Sequence, residues 1–492
     1  MTPRSASHPN PCPPRFNLAD YVLHHGDADD DKIALAVLST ARSDRWSYGR
    51  LRAAVLGVAT GLLEAGLNPG DRLLLRLPNG VGFPLAYLGA IAAGIVPVPT
   101  SAQLTAPEVD RLLPTVAPAA MALGDGVAAP TAPLRTITQS DILAMTSLPP
   151  AQPVTGDPDR LAYIVFTSGT SGTPRAVAHA HRAVWARRMM WDGWYGLTPR
   201  DRLLHAGAMN WTFTLGTGLL DPWAMGATAL IPAEGTPIEA LPLLMNRHDA
   251  TLFAAAPGVL RKLLKTPDRL SLPKLRHTLT AGEHLQGDLA ARWRDHVGPV
   301  YDAYGMTECS TFLSAAPGDV PSLTPQPGRR VQLTDDGHIA IRRDEQGLML
   351  GYLEDGAPTL PLTGDWFVTG DLARQDGARI QYQGRSDDMM NAGGYRVSPL
   401  EVEAALTDHP AIAAVAVTDI PVAADARVIA AFYTAEAPIP EADLAAHAAT
   451  RLARYKQPRI WCHVPDLPTG PNGKLQRRAL RDLYPAPDIP QA

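Results

Sequence analysis

The stretch Thr167-Ser168-Gly169-Thr170-Ser171-Gly172-Thr173-Pro174-Arg175 constrains this chain more than any other. It lies between an apolar run, residues 161–166, that reads as a buried strand, and the alternating Val177-Ala178-His179, which reads as another. A plain hairpin is joined by about two to five residues and needs no hydroxyls. This connection is longer and carries five hydroxyl side chains. Glycines let backbone N–H groups turn inward as an anion nest, while Ser and Thr add neutral donors, so the loop looks built for polyphosphate, although taken alone such a loop is more often a plain surface turn. It is not a Walker A loop: Thr173 follows the second glycine where that motif has Lys-Ser/Thr, and no helix begins directly after it.

Strands and helices alternate around this loop. Residues 46–65 read as a helix with Ser47 as N-cap and Leu51, Val55, Val58 and Leu62 on one face. A strand at 72–77, an apolar helix at 81–93 and a strand at 95–98 follow, a pattern that predicts parallel α/β architecture. Residues 128–154, filled with Pro, Ala and Thr, read as a surface connection without catalytic signal. Residues 182–194 read as one helix, and 205–213 as a strand-to-helix passage with exposed-looking aromatics, Trp211 and Phe213. Beyond residue 388 a helix at 399–406 and strands at 412–417 and 428–433 predict a small α+β unit.

At 492 residues the chain exceeds one ordinary core, and length alone suggests about three domains or subdomains. A formal charge of −5 gives no field to attract nucleic acid or anionic lipid. The helix at 81–93 is too short to span a membrane. Cys12, Cys309 and Cys462 are too scattered for a disulfide framework or zinc-ligand spacing, so a reducing cytoplasm is the expected compartment. Residues 1–16, rich in Pro and Ser without the apolar core of a signal peptide, read as a loose arm.

Four further clusters follow the loop in order: Tyr301-Asp302-Ala303-Tyr304-Gly305-Met306-Thr307-Glu308; Thr369-Gly370-Asp371-Leu372 with Gly384-Arg385-Ser386-Asp387-Asp388; Asn391-Ala392-Gly393-Gly394-Tyr395-Arg396; and Pro468-Thr469-Gly470-Pro471-Asn472-Gly473-Lys474-Leu475-Gln476-Arg477. Taken singly, such stretches are more often turns, bends or solvated charges. Together their residue types suit a nucleotide: an aromatic face for a base, a hydroxyl for a phosphoryl oxygen, and a hard carboxylate oxygen for a hard cation.

In this order the motifs resemble the adenylate-forming enzymes, which include acyl-CoA synthetases, luciferases and peptide-synthetase adenylation domains. The likeness covers about residues 30–482, and Arg175-Ala176 replaces the usual Lys-Gly after the phosphate loop. It implies a large N-terminal domain, 1–386, of stacked α/β subdomains with a β-barrel-like part, and a small mobile α+β lid, 387–492, turning about Asp387. By resemblance Thr167, Ser168, Gly169, Thr170, Ser171, Gly172, Thr173 and Arg175 hold ATP phosphates, with Arg396 able to meet them. Gly282 and Glu283 lie beside adenine, Tyr304 stacks on it, Asp371 accepts the ribose hydroxyls, and Arg385 serves the nucleotide side. Thr307 bonds the α-phosphate, Glu308 holds Mg2+, and Lys474 bridges carboxylate and α-phosphate. Gly393 and Gly394 line the coenzyme A tunnel.

For the acid, the resemblance points to Trp211, Phe213, Ala256, Pro257 and Gly305. Acetate-specific relatives carry tryptophan at the position of Gly305, so an aryl or medium-chain acid is expected here. The implied activity is AMP-forming acid:CoA ligation with ATP, Mg2+ and coenzyme A, by a monomer or homodimer whose partner is a small-molecule carboxylic acid. The alternative is a stand-alone adenylation enzyme that passes the acyl group to a carrier protein. His181 and His205 read as structural rather than pocket residues.

Overall fold

The computed structural model describes residues 11–27, 30–167, 174–265, 270–314, 322–326, 328–392, 395–423, 426–470 and 475–484. Among them the frame is a thirteen-stranded sheet with a parallel centre, an antiparallel edge strand, Ser43–Ser47, beside Ile33–Leu38, and an antiparallel half beyond Val300–Met306. Parallel pairing runs from Ile33–Leu38 through Thr228–Pro232, Arg202–His205, Leu252–Ala255 and His277–Thr280 to Val300–Met306. On the other side of Val300–Met306 pairing is antiparallel, through Ser310–Ser314, Ser322–Pro325, Arg379–Arg385, Trp366–Asp376, His338–Arg342 and Val331–Leu333.

The parallel strands are short apolar runs, and Thr228–Pro232 and Leu252–Ala255 are buried throughout, as strands covered on both faces must be. Helices Leu241–Arg247, Pro257–Leu263 and Gly287–His296 cover one face, sharing a core of Leu244, Phe253, Leu260, Leu289 and Trp293. A second, wholly parallel sheet joins Val96–Pro99, Arg72–Arg76, Ala120–Leu123 and Thr136–Thr138. Its helices are the expected ones: Tyr48–Glu64, with the Ser47 side chain accepting from Arg50 N–H, and the fully buried Gly82–Ala92.

The loop-bearing strands Leu161–Thr167 and Arg175–Ala180 pair antiparallel, with Thr167 opposite Arg175, and Gly351–Glu354 adds beside them. This small sheet and the antiparallel half of the large one enclose a shared core that includes Val165, Val177, Leu323, Ile339 and Phe367. That core is the barrel-like part. Beyond it, strands Ala414–Ala423, Ala426–Thr434 and Ile460–His463 form a separate sheet, and the two cores around it contain only residues from Met390 onward.

Three expectations are corrected. Residues 128–154 are more than a surface connection: Thr136–Thr138 completes the second sheet and Gln139–Met145 packs as a helix through buried Ile142. The proline-rich arm docks at its end, where Phe16 is buried against Tyr21 and Trp185 and pairs with Gly156. The helix at 182–194 is broken into Arg182–Ala186 and a single wide π turn, Trp191–Tyr195. Gly193 weakens a regular helix there, and widening the turn lets consecutive Trp194 and Tyr195 both go inward. Among the described residues no helix is long and apolar enough to cross a membrane.

Candidate active site

Parallel strands present their carboxyl ends along one edge, and in open α/β sheets ligands bind in the crevice there. His205, Ala255, Thr280 and Met306 end four neighbouring strands. The segments that follow carry Trp211 and Phe213, Ala256 and Pro257, Gly282 and Glu283, and Thr307 and Glu308. The last of these strands is also where the sheet turns antiparallel, which brings Asp371 and Arg385 alongside.

Tyr304 Oη donates to Asp371 Oδ2 at 2.5 Å, and Tyr382 Oη donates to Oδ1 at 3.2 Å. Asp371 N–H donates to Thr369 Oγ at 3.1 Å. Asp371 stands opposite Arg385 in the register of their two strands, and the guanidinium lies 3.9 Å from its carboxylate and 3.0 Å from that of Asp387. Burial works to lower the Arg385 pKa, but Asp371 and Asp387 outweigh it and hold it above its ordinary value. Burial and the Asp371 charge push the Tyr304 hydroxyl well up, so it remains a donor. A carboxylate offers about four acceptor positions, so Asp371 keeps capacity for a further diol.

Glu308 is only 9 % exposed. Burial raises its carboxyl, and the Tyr352 hydroxyl, donating to Oε1 at 2.8 Å, pulls it back. Among the described residues no group of three or more His, Cys, Asp or Glu could hold a metal. A lone buried carboxylate suits Mg2+ carried in on nucleotide phosphates, where phosphate and water supply the other ligands. On the other side of this pair, His179 Nε2 donates to the Thr307 carbonyl at 2.8 Å. Burial lowers His179 to about 4, so its Nδ1 is an acceptor, without a hydrogen-bond partner among the described residues. With Ser310 it lines a cavity of about 20 Å³ beside Thr307, room for one water.

The opposite wall is aromatic. Trp211 meets Phe213 edge to face at 5.2 Å, and Phe213 meets His205 at 4.5 Å. Gly282 has φ +89°, and a Cβ there would stand 2.5 Å from Trp211 Cζ2, so only glycine lets the indole lie against that backbone. Phe213 is buried and Trp211 half-buried, which corrects their exposed look in the sequence. Behind them Arg187 grips Asp221 through Nε–Oδ1 at 2.8 Å and Nη2–Oδ2 at 2.6 Å, while Tyr195 Oη donates to Oδ2 at 2.5 Å. Breaking such a buried pair costs about 3–5 kcal/mol. The lone Asp in apolar Leu219-Leu220-Asp221-Pro222-Trp223 was the signal that could have found it.

Ala256 is buried and caps helix Pro257–Leu263, and Glu283 lies 4.0 Å from Arg261 of that helix. A register shift between Tyr304 and Gly305 marks a bulge at Gly305. Asp302, buried on the same strand as Tyr304, accepts from Thr280 Oγ at 2.9 Å, yet burial pushes it up to about 7. His181 and His205 are both buried. Their Nδ1 atoms accept N–H donors from Leu18 and Gly207, each at 3.0 Å, and burial lowers both to about 3.

Ser168, Gly169, Thr170, Ser171, Gly172, Thr173, Gly393, Gly394 and Lys474 lie outside the described residues, as does the Arg396 side chain. The flanks of the Lys474 loop are pinned: Thr469 bridges Leu475, Gln476 N–H donates to the Pro468 carbonyl at 2.9 Å, and Arg477 pairs with Glu403. Asp387 reaches both ways, to Arg385 and, at 3.9 Å, to Arg478. Tyr352, Tyr382 and His179 were missed in the sequence because the strand pairings that aim them are not written there.

The family pattern described as AMP-binding enzyme matches residues 24–353, and that of its C-terminal domain matches 401–474. The chain is 30% identical to a benzoate–CoA ligase of Thauera aromatica, over 95% of this chain and 96% of that protein. It is 31% identical to a 4-hydroxybenzoate–CoA/benzoate–CoA ligase of Rhodopseudomonas palustris, over 95% and 94%. The crystal structure of a benzoate CoA ligase from Burkholderia xenovorans superposes with a TM-score of 0.83 at 27% identity, covering 95% of this chain and 100% of that one.

Proposed function

Because the chain belongs to the AMP-binding enzyme family, we propose that it is an AMP-forming carboxylic acid:CoA ligase for an aryl or medium-chain acid, working in the cytoplasm. The acid's carboxylate attacks the α-phosphorus of ATP, giving acyl adenylate and pyrophosphate. The thiol of coenzyme A then attacks the acyl carbonyl and AMP leaves. Alignment and charge neutralisation are the protein's share of such a reaction.

In this reading the loop at 167–175 cradles the phosphates, Tyr304 offers its face to adenine, and Asp371 accepts the ribose hydroxyls, with Arg385 beside it holding its charge in place. Thr307 bonds the α-phosphate. Glu308 would be the protein ligand of Mg2+, which when bound supplies positive charge to the phosphates. Lys474 places an ammonium where negative charge accumulates between the carboxylate and the α-phosphorus, a preorganised electrostatic role. Residues 387–492 act as a lid pivoting at Asp387, and Gly393 and Gly394 leave passage for the thiol once Lys474 withdraws. Trp211, Phe213, Ala256, Pro257 and Gly305 bound the acid.

The observation that carries the reading is the meeting of Tyr304, Asp371 and Arg385 beside Glu308, with an aromatic wall at the neighbouring strand ends. The test is pyrophosphate release over a panel of acids, with and without coenzyme A. Release that requires an aryl or medium-chain acid, with thioester formed only when coenzyme A is present, supports it. Release independent of every acid overturns it.

A further inference from the structure

The segment 349–352 is stitched on both sides. Met349 N–H donates to the Glu308 carbonyl at 2.8 Å, and Leu350 N–H donates to the Ala178 carbonyl at 2.8 Å. Gly351 and Tyr352 pair antiparallel with Ala178 and Val177, on the strand that leaves the phosphate loop. Gly351 has φ +147°, and a Cβ there would stand 2.3 Å from the backbone of Thr359, so the chain at this point has a single seat. Tyr352 is therefore delivered to a fixed place, 6 % exposed. From it the hydroxyl reaches Glu308 Oε1 at 2.8 Å, while the ring lies under the Arg175 guanidinium, 3.2 Å from the centroid.

Arg175 stands where the resemblance leads one to expect lysine, and a planar guanidinium covers an aromatic face in a way that an ammonium on a flexible stem does not. A buried carboxylate with one oxygen already held by a fixed phenol has few rotamers left, so its other oxygen is aimed before any cation arrives. Outer groups of this kind typically change metal affinity about 10- to 100-fold.

We infer that Tyr352 is a positioning residue that aims Glu308 at the nucleotide's metal ion, and that Arg175, stacked on its ring, ties that aim to the exit of the phosphate loop. The inference rests on the ligase reading for its metal, and its test is separable from it because metal uptake with ATP requires no acid.

The experiment measures Mn2+ bound in the presence of ATP, from the loss of the free-ion electron paramagnetic resonance signal, without acid or coenzyme A. Tyr352→Phe keeps the ring and removes only the hydroxyl. It is expected to weaken Mn2+ uptake by about tenfold, and to leave the KM for acid unchanged. In a Glu308→Gln background the same change should add little, because the two act as a unit. Arg175→Lys should weaken uptake by about threefold through the lost stacking. Native-like Mn2+ affinity in a folded Tyr352→Phe protein, or an effect that adds in full to Glu308→Gln, would overturn the inference. A chain that binds Mn2+ with ATP but activates no acid would sink the ligase reading and leave the clamp standing.

Discussion

On the nucleotide side of Thr307, Asp371 takes hydrogen bonds from Tyr304 and Tyr382 and faces Arg385. On the side that the proposed reading gives to the acid, Trp211 and Phe213 meet edge to face over His205, with Gly282 left bare beneath the indole. The first wall is directional: its polar groups are held by hydrogen bonds and ion pairs of fixed geometry, so a lost atom leaves buried polar groups unsatisfied whatever acid is bound. The second is steric, and packed surfaces of this kind tolerate exchange provided that volume is respected. In the proposed reading the chemistry of activation is thus held apart from the choice of acid. On that reading one wall could change its substrate without retuning the other.

The largest expected effect lies on neither wall. Lys474→Ala should slow adenylate formation by at least about 100-fold, for every acid alike. The same variant should still convert a supplied acyl adenylate to thioester, as read by single-turnover quench; equal loss of both half-reactions would refute the lid exchange.

Next is the directional wall. Asp371→Ala strips the partner from two tyrosines and Arg385, and should reduce kcat/KM for ATP by about 10- to 100-fold, uniformly over the acid panel. An effect that depended on the acid would erase the distinction between the walls. Trp211→Ala should do the opposite: about a tenfold change in the ratio of medium-chain to aryl acid turnover, with the KM for ATP unmoved.

The smallest effect is on stability, and the walls differ in its sign. Burial lowers His205, behind the acid wall, to about 3. Between that pH and about 6.5 the unfolded chain binds the extra proton, so this histidine makes stability fall as pH drops. Asp302, behind the nucleotide wall, is raised to about 7. There the native chain holds the extra proton, and stability falls as pH rises from about 4 towards 7. Each slope is at most about 1.4 kcal/mol per pH unit. Urea midpoints across this range should show the acid-side slope shrink in His205→Gln and the opposing slope shrink in Asp302→Asn.

The directional wall was also the legible one. Tyr304, Glu308, Asp371 and Arg385 stand in short runs whose residue types suit a nucleotide, and the structure gathers them at the strand where the sheet turns antiparallel. Their supports were not legible. Tyr352 and Tyr382 depend on which strand pairs with which, and His179 on a hairpin register, none of which a local pattern records. The acid wall was half read: Trp211 and Phe213 were chosen but looked exposed, because the bare backbone of Gly282 and the ring of Trp194 that pack against them lie elsewhere in the chain. The same limit explains the helix at 182–194. Packing both Trp194 and Tyr195 inward breaks it.

The separation of the two walls is tested most directly by acid-dependent exchange of labelled pyrophosphate into ATP, without coenzyme A, for a panel of aryl and medium-chain acids on the native chain, Asp371→Ala and Trp211→Ala. The account predicts that Asp371→Ala lowers exchange in one proportion for all acids while Trp211→Ala reorders them. A reordering by Asp371→Ala, or a uniform loss with Trp211→Ala, would contradict it.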